Sequence, residues 1–126
     1  MAANIRPKNN QDAFDKVLKA IRAQGYQRSV NADGSCKYRG PNGLRCAAGH
    51  LIPNSLYKAS IEGVSISDAR IPEEITNYFD SVSLDLIQSM QFAHDNYLEE
   101  SITAWELRMK EIAWSYNLVY TEPLKG

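Results

Sequence analysis

The sequence has little of what a secreted or membrane-spanning protein needs. Its 126 residues include only two cysteines, and no apolar run is long enough to cross a bilayer. The first ten residues lack the apolar core of a signal peptide. We therefore expect a cytoplasmic protein that does not associate with membranes, in which Cys36 and Cys46 stay reduced rather than forming a disulfide.

Two further absences narrow the classes of function. Gly40, Gly43 and Gly49 lie among basic residues, but neither a P-loop nor a dinucleotide-binding glycine pattern is present. The chain also lacks the closely spaced Cys-x2-Cys pair of many zinc sites. The glycines are therefore better explained by turns than by phosphate binding.

What the sequence does contain is typical of an ordinary folded domain. Hydrophobic residues make up 44% of the chain and charged residues 23%, far from the composition of disordered proteins. The length suits one domain with a single core. We predict a flexible N-terminus over residues 1–10, one globular domain over residues 11–120, and a C-terminal tail over residues 121–126.

Charge is distributed unevenly along the chain, although the net charge is only -1. Residues 1–61 contain ten Lys or Arg and three Asp, a net charge of +7. Residues 62–126 contain four Lys or Arg and twelve Asp or Glu, a net charge of -8. Such asymmetry indicates either a surface for an acidic partner or nucleic acid, or two halves whose charges compensate in the fold.

Apolar residues recur at helical spacing in four segments. We predict helices over residues 11–24, 72–79, 83–98 and 101–117. Asn10 and Ser83 are the expected N-caps, and Gly25 is the expected left-handed C-terminal stop. Pro72 suits the first position of its helix because its φ is already fixed near the helical value.

Residues 35–48 have a different pattern, which predicts a two-stranded antiparallel β-hairpin. Pro41, Asn42 and Gly43 suit a type I turn followed by a left-handed glycine. If Gly40 pairs with Leu44, alternate residues fall on opposite faces. The buried face would then hold Cys36, Tyr38, Cys46 and Ala48. The outer face would be basic and would hold Lys37, Arg39 and Arg45.

The last predicted helix has two apolar faces. Trp105 belongs to a stripe at helical spacing, whereas Trp114 is nine residues later and therefore on the opposite side. Leu107 falls on the same side as Trp114. One face should enter the core, and the other is either buried as well or available to a partner, since tryptophan is favoured at the centres of interfaces.

Four residues are candidates for a soft metal site: Cys36, Cys46, His50 and His94. The first three have the spacing Cys-x9-Cys-x3-His, and tetrahedral zinc needs four such ligands. The alternative is a reduced core pair with hydrogen-bonded histidines. A third possibility uses Cys46 as a nucleophile and His94 as its base, but Asp95 should point about 100° away from His94 around the helix and orient it poorly.

The pattern of residues 36–53 is Cys-x-Tyr-Arg-Gly-Pro-x-Gly-x-Arg-Cys-Ala-x-Gly-x-Leu-Ile-Pro, and Gln91-x-x-His94-Asp95 follows downstream. This combination resembles a group of small uncharacterised proteins encoded by bacteriophages and bacterial genomes, over residues 11–118. The resemblance does not indicate any particular activity. It does imply a phage or prophage setting, in which small accessory proteins often act by binding host or defence proteins.

These observations predict an α+β, mainly α, fold with four to five helices and one two-stranded antiparallel β-hairpin. The function that we expect is a non-enzymatic interaction protein, such as a phage-encoded inhibitor or modulator of a host or defence complex in the host cytoplasm. Its protein partner would bind at Lys37, Arg39, Arg45, Leu107 and Trp114. The alternatives are a nucleic-acid-binding module that uses the basic face, and a small zinc- or thiol-dependent enzyme; no cofactor is expected apart from zinc in that last alternative.

Overall fold

The computed structural model describes residues 6–30, 37–40 and 43–123, with all side chains in these ranges except those of residues 98 and 99. Five α-helices and one short 3-10 helix account for the regular structure of this part of the chain. They are α1 (Asn10–Ala23), α2 (Ala47–Leu51), the 3-10 helix (Ala59–Ile61), α3 (Glu73–Tyr78), α4 (Leu84–Glu100) and α5 (Ile102–Ser115).

Both ends of α1 are determined by local chemistry. The N-cap is Asn9 rather than the predicted Asn10: its side chain accepts a hydrogen bond from the Asp12 amide. Asn10 instead accepts a hydrogen bond from the amide of Ser83, at the start of α4. At the other end Gly25 adopts a left-handed φ of 74°, as predicted, and the Gly25 and Tyr26 amides bond back into the last turn.

The predicted β-hairpin is wrong, because the residues that the structure describes contain no β-strand. The pairing expected around the turn is present, since the Gly40 amide donates to the Leu44 carbonyl at 2.8 Å. Arg39 and Arg45 also face each other, but only as an isolated antiparallel bridge. Pairing stops there because the chain turns into α2 at the next residue. Residues 35, 36, 41 and 42 of the predicted hairpin lie outside the described ranges.

Cys46 begins α2 by acting as its N-cap. Its Sγ accepts a hydrogen bond from the Gly49 amide at 3.4 Å, which satisfies one of the amides left free in the first turn. Tyr38, Cys46 and Ala48 are all buried, as predicted, but the last two enter the core from the start of a helix rather than from a strand.

The two long C-terminal helices follow the sequence prediction closely. Ser83 caps α4 by accepting from the Leu86 amide, and Ser101 both ends α4 and caps α5.

Pro72 is the cap residue of α3, one position before the helix, rather than its first residue. None of the helices in the described ranges is long and apolar enough to span a membrane.

A single core joins these helices. α4 packs most extensively against α5, and α2 lies between α1 and α4. The largest buried side chains come from each of these helices and from the segments between them: Phe14, Ile21, Leu51, Ile52, Ile61, Ile66, Ile75, Phe79, Leu86, Ile87, Met90 and Trp105. In this arrangement no element of the described ranges covers the side of α5 that carries Leu107 and Trp114.

The first and last segments that the structure describes are tied to the helices. Arg6 donates to the carbonyls of Asn77 and Tyr78 and forms an ion pair with Asp80 at 2.8 Å. Near the C-terminus, the Gln11 amide group exchanges two hydrogen bonds with the backbone of Val119, at 2.8 and 3.0 Å. These contacts hold residues 6–9 and 117–121 against the domain.

Candidate functional site

The outer side of α5 exposes large apolar side chains to solvent. Trp114 is 84% exposed and Leu107 is 57% exposed. They are seven residues apart, which places them two turns apart on the same side of the helix. Lys110 and Glu111, both exposed, lie between them. We refer to Leu107, Lys110, Glu111 and Trp114 as the α5 outer face.

The opposite side of α5 explains why its outer face is left uncovered. Trp105, Met109 and Ile112 are all buried, and the Trp105 ring packs edge-on against Tyr26 with 5.7 Å between ring centroids. α5 therefore already packs against the core through this side. Trp114 is not needed to fill the core of this domain.

The predicted basic face is more constrained than the sequence suggests. The Arg39 guanidinium donates to the Ile52 carbonyl and to Asn54 Oδ1, both at 2.7 Å, and it stacks over the Tyr57 ring at 4.4 Å. Burial, followed by the nearby charge of Arg45, lowers the pKa of Arg39. Arg39 is therefore engaged in fixing residues 52–57, and is not a free surface charge.

Glu62 organises the same region, which sequence reasoning did not anticipate. Its carboxylate accepts hydrogen bonds from the Tyr38 amide at 2.8 Å and the Arg39 amide at 3.1 Å. The Tyr57 hydroxyl donates to it at 2.7 Å, and burial together with this bond raises the pKa of Tyr57 to about 12. No local pattern marks Glu62, because two of these three partners are backbone amides more than twenty residues earlier in the chain.

The Cys46 thiol is poorly suited to nucleophilic chemistry. It is buried, and this burial raises its pKa to about 12, so that it stays protonated at neutral pH. A reactive cysteine needs a thiolate and some exposure to substrate. The structure instead gives Cys46 the role of helix cap.

His50 is held in one orientation by Gln24. The Gln24 side-chain amide donates to the carbonyls of Gln27 and Arg45, both at 2.8 Å, which leaves its oxygen as the acceptor. His50 Nε2, 2.9 Å from that oxygen, must therefore carry a proton. Burial, followed by the charge of Arg45, lowers the pKa of His50 to about 4.

His94 is buried and lies beside Asp95. It is 1% exposed, and its Nδ1 lies 3.3 Å from Asp95 Oδ1, although the helical spacing predicts that Asp95 points away from His94. Nε2 has no hydrogen-bond partner among the described residues. Gln91 connects α4 to α2, because its side-chain oxygen accepts a hydrogen bond from the Ala48 amide at 3.0 Å.

A cavity of about 230 Å³ lies beside this network. Tyr38 and Cys46 line it from one side, and Gln91 and Asp95 line it from α4. The Gln91 amide donates to both carboxylate oxygens of Asp95, each at 3.0 Å. The two parts of the sequence pattern, residues 36–53 and residues 91–95, therefore meet here, through hydrogen bonds within the protein itself.

The described residues do not assemble the predicted metal site. They contain no group of three or more His, Cys, Asp or Glu side chains that could hold a metal ion. His50 directs a protonated nitrogen at Gln24, and Cys46 caps α2. Cys36, the fourth predicted ligand, lies outside the described ranges.

Comparisons of the sequence with protein-family models and curated proteins, and of the fold with solved structures, give no match.

Proposed function

We propose that this protein is a non-enzymatic interaction protein, and that the α5 outer face is its binding surface for another protein. The observation that carries the proposal is the 84% exposure of Trp114 on a regular helix, in line with exposed Leu107. Tryptophan is the residue most enriched at the energetic centres of interfaces.

Leaving Trp114 in water is unfavourable unless a partner covers it. Full burial of a large apolar side chain stabilises by roughly 1.5–3 kcal/mol. The folded domain lacks this stabilisation at Trp114, although it buries its other tryptophan, Trp105, completely. Lys110 and Glu111 at the centre of the face can make ion pairs with a partner, which supports a protein ligand over a purely apolar one.

The chemistry of the other candidate residues supports a binding function over catalysis. Cys46 is a protonated helix cap, and His50 donates its Nε2 proton to Gln24. Cys46 and His94 do not form a hydrogen-bonded pair of nucleophile and base among the described residues. For the nucleic-acid alternative, Arg39 is engaged with Ile52, Asn54 and Tyr57, so that this residue adds little free positive charge.

The biological setting of the proposal comes from the sequence resemblance alone. On that basis the partner belongs to a host or defence complex in the cytoplasm of a bacterial cell, and the protein acts as a phage-encoded modulator or inhibitor of that complex.

The test is an affinity purification of the tagged chain from the cells that encode it, with Trp114→Ser as the variant. Val119→Ser is the matched control, because Val119 is 69% exposed and lies outside α5. We expect a protein that is retained by the wild type and by Val119→Ser and is lost with Trp114→Ser. Equal retention by all three chains would contradict the proposal. Circular dichroism of the Trp114→Ser chain should show unchanged helix content.

A further inference from the structure

The cavity between Tyr38, Cys46 and α4 contains two opposite charges. Lys37 lines it beside Tyr38, and Asp95 lines it from α4. The other lining residues that could ionise are Tyr38 and Cys46. Burial raises the pKa of both, that of Cys46 to about 12, so both stay neutral at pH 7. The described lining therefore carries one positive and one negative charge.

Among the described residues, Lys37 has no partner for its charge. Its backbone is held in place, because its amide donates to the Ser29 carbonyl at 2.8 Å. The residue is half-buried, and its ammonium group makes no hydrogen bond or ion pair with a described residue. Burial removes part of the water around a charged group, which is unfavourable unless another polar group replaces that water. An anionic group of a ligand would supply this replacement.

Asp95 presents an oriented carboxylate to the same cavity. Gln91 donates to both of its carboxylate oxygens, and the Gln91 side-chain oxygen accepts from the Ala48 amide at 3.0 Å. A carboxylate can accept about four hydrogen bonds, so Asp95 can bind a ligand ammonium group in addition to Gln91. The Asp95 side chain is 22% exposed, which makes it accessible to a ligand.

The size and the walls of the cavity limit the ligand. Its volume of about 230 Å³ is below the roughly 300–1,000 Å³ of pockets that hold drug-sized molecules, so a nucleotide is too large. Val64 and Ile66 add apolar surface, and the described lining contains no third charged side chain. A fitting ligand is therefore small, with one negative group, one positive group and an apolar remainder.

We infer that this cavity binds a free aliphatic amino acid. The carboxylate of the amino acid accepts hydrogen bonds from Lys37, and its ammonium group donates to Asp95. Its side chain packs on Val64 and Ile66. Lys37 and Asp95 do not pair with each other, so a zwitterion between them gives each an opposite charge. The inference goes beyond the proposed function, because this cavity is a different site from the α5 outer face.

Isothermal titration calorimetry with L-alanine, L-valine, L-leucine and L-isoleucine as probes tests the site. We expect at least one of them to bind with a dissociation constant below about 1 mM. Lys37→Met should weaken this binding by more than about tenfold, because a charge-assisted hydrogen bond is lost. Lys19→Met is the matched control, since Lys19 is exposed on α1, and it should bind as the wild type does. Absence of binding by all four probes, or equal binding by the Lys37→Met chain, overturns the inference.

The two charged contacts are separated on the ligand, because a variant of Asp95 would also disturb its hydrogen bonds with Gln91. The N-acetyl derivative of the amino acid that binds lacks the positive charge, and its amide derivative lacks the negative charge. Each derivative should bind the wild type more than about tenfold more weakly than the free amino acid does. The Lys37→Met chain should bind the amide derivative no more weakly than the free amino acid. A derivative that binds the wild type as tightly as the free amino acid overturns the inference.

Discussion

The pKa of His50 links one side chain to the stability of the fold. The usual pKa of histidine is about 6.5, and burial lowers that of His50 to about 4. Above pH 6.5 the ring is neutral in both the folded and the unfolded chain. As the pH falls from 6.5 towards 4, the unfolded chain takes up a proton that the folded chain does not, so stability decreases.

We therefore expect the free energy of unfolding to fall by roughly 2 kcal/mol between pH 6.5 and 4.5 through His50. His50→Gln keeps a donor for Gln24 and does not titrate, so this variant should lose most of that dependence. Urea unfolding at a series of pH values measures the effect. A variant with the same slope as the wild type would show that His50 is not the titrating group.

Residues with local partners are the ones whose roles the sequence predicts well. Ser83 and Gly25 have the expected roles, because caps and left-handed stops depend on neighbours within a few positions. Asn9 takes the role predicted for Asn10, because either asparagine can cap and tertiary contact with Ser83 engages the second. Glu62 was not predicted, since its contacts to Tyr38 and Arg39 depend on the completed fold.

At the scale of elements, α2 shows why the hairpin prediction failed. The turn residues favour a reversal of the chain, and the Arg39 and Arg45 pairing agrees with it. A helix rather than a strand follows the reversal because Ala47, Ala48 and Leu51 are buried between α1 and α4. Alternation over four or five residues does not separate a short strand from a single buried helical turn.

Gly49 allows α2 to lie directly against the chain at residue 38. A Cβ added at Gly49 would be 2.0 Å from the Tyr38 carbonyl oxygen, a distance that no backbone tolerates. This close approach explains why residue 49 is a glycine, and a bound phosphate is not needed to explain it. Alanine at a helical position is normally stabilising relative to glycine by roughly 0.5–1 kcal/mol, so the predicted effect here has the opposite sign.

Gly49→Ala should destabilise the domain by more than about 2 kcal/mol, because α2 and residue 38 must separate. Gly63→Ala is the control: Gly63 has a φ of 80° and open space around it, so only local strain of about 1 kcal/mol is expected. Thermal unfolding of both variants makes the comparison. A Gly49→Ala chain at least as stable as the wild type would contradict the close contact.

For the whole molecule, ion pairs between the two halves of the sequence partly compensate their opposite charges. Arg6 pairs with Asp80, Lys58 with Glu74, and Arg22 with Glu106. The last pair is the least exposed of the three, with Arg22 donating twice to Glu106 at 2.7 and 2.9 Å. It connects α1 to α5, which are far apart in sequence.

The surroundings of Glu106 favour its charged form. Burial by itself would raise the pKa of Glu106, but hydrogen bonds from Arg22, Tyr120 and Tyr26 outweigh it and lower the pKa. Arg22 also donates to the Thr121 carbonyl at 2.8 Å, so the same cluster holds the C-terminal segment. Sequence patterns showed the opposite charges of the two halves, but not which pair would be the least exposed.

Glu106→Gln should lower the free energy of unfolding at pH 7 by about 2 kcal/mol, because Arg22 is left without its counter-charge. A group with a lowered pKa stabilises above its unfolded pKa, and this stabilisation is lost as the pH falls through the folded pKa. The difference between the variant and the wild type should therefore shrink below pH 4. Glu111→Gln, on the same helix but exposed, should change stability by less than about 0.5 kcal/mol.

Photo-cross-linking in the cell determines whether a protein covers the α5 outer face. A photoreactive phenylalanine analogue replaces Trp114 in one chain and Val119 in a control chain, and the cells that encode the protein are irradiated. We expect a discrete protein adduct from position 114 and little adduct from position 119. Absence of any adduct at position 114, or equal adducts at both positions, would contradict the proposed binding surface.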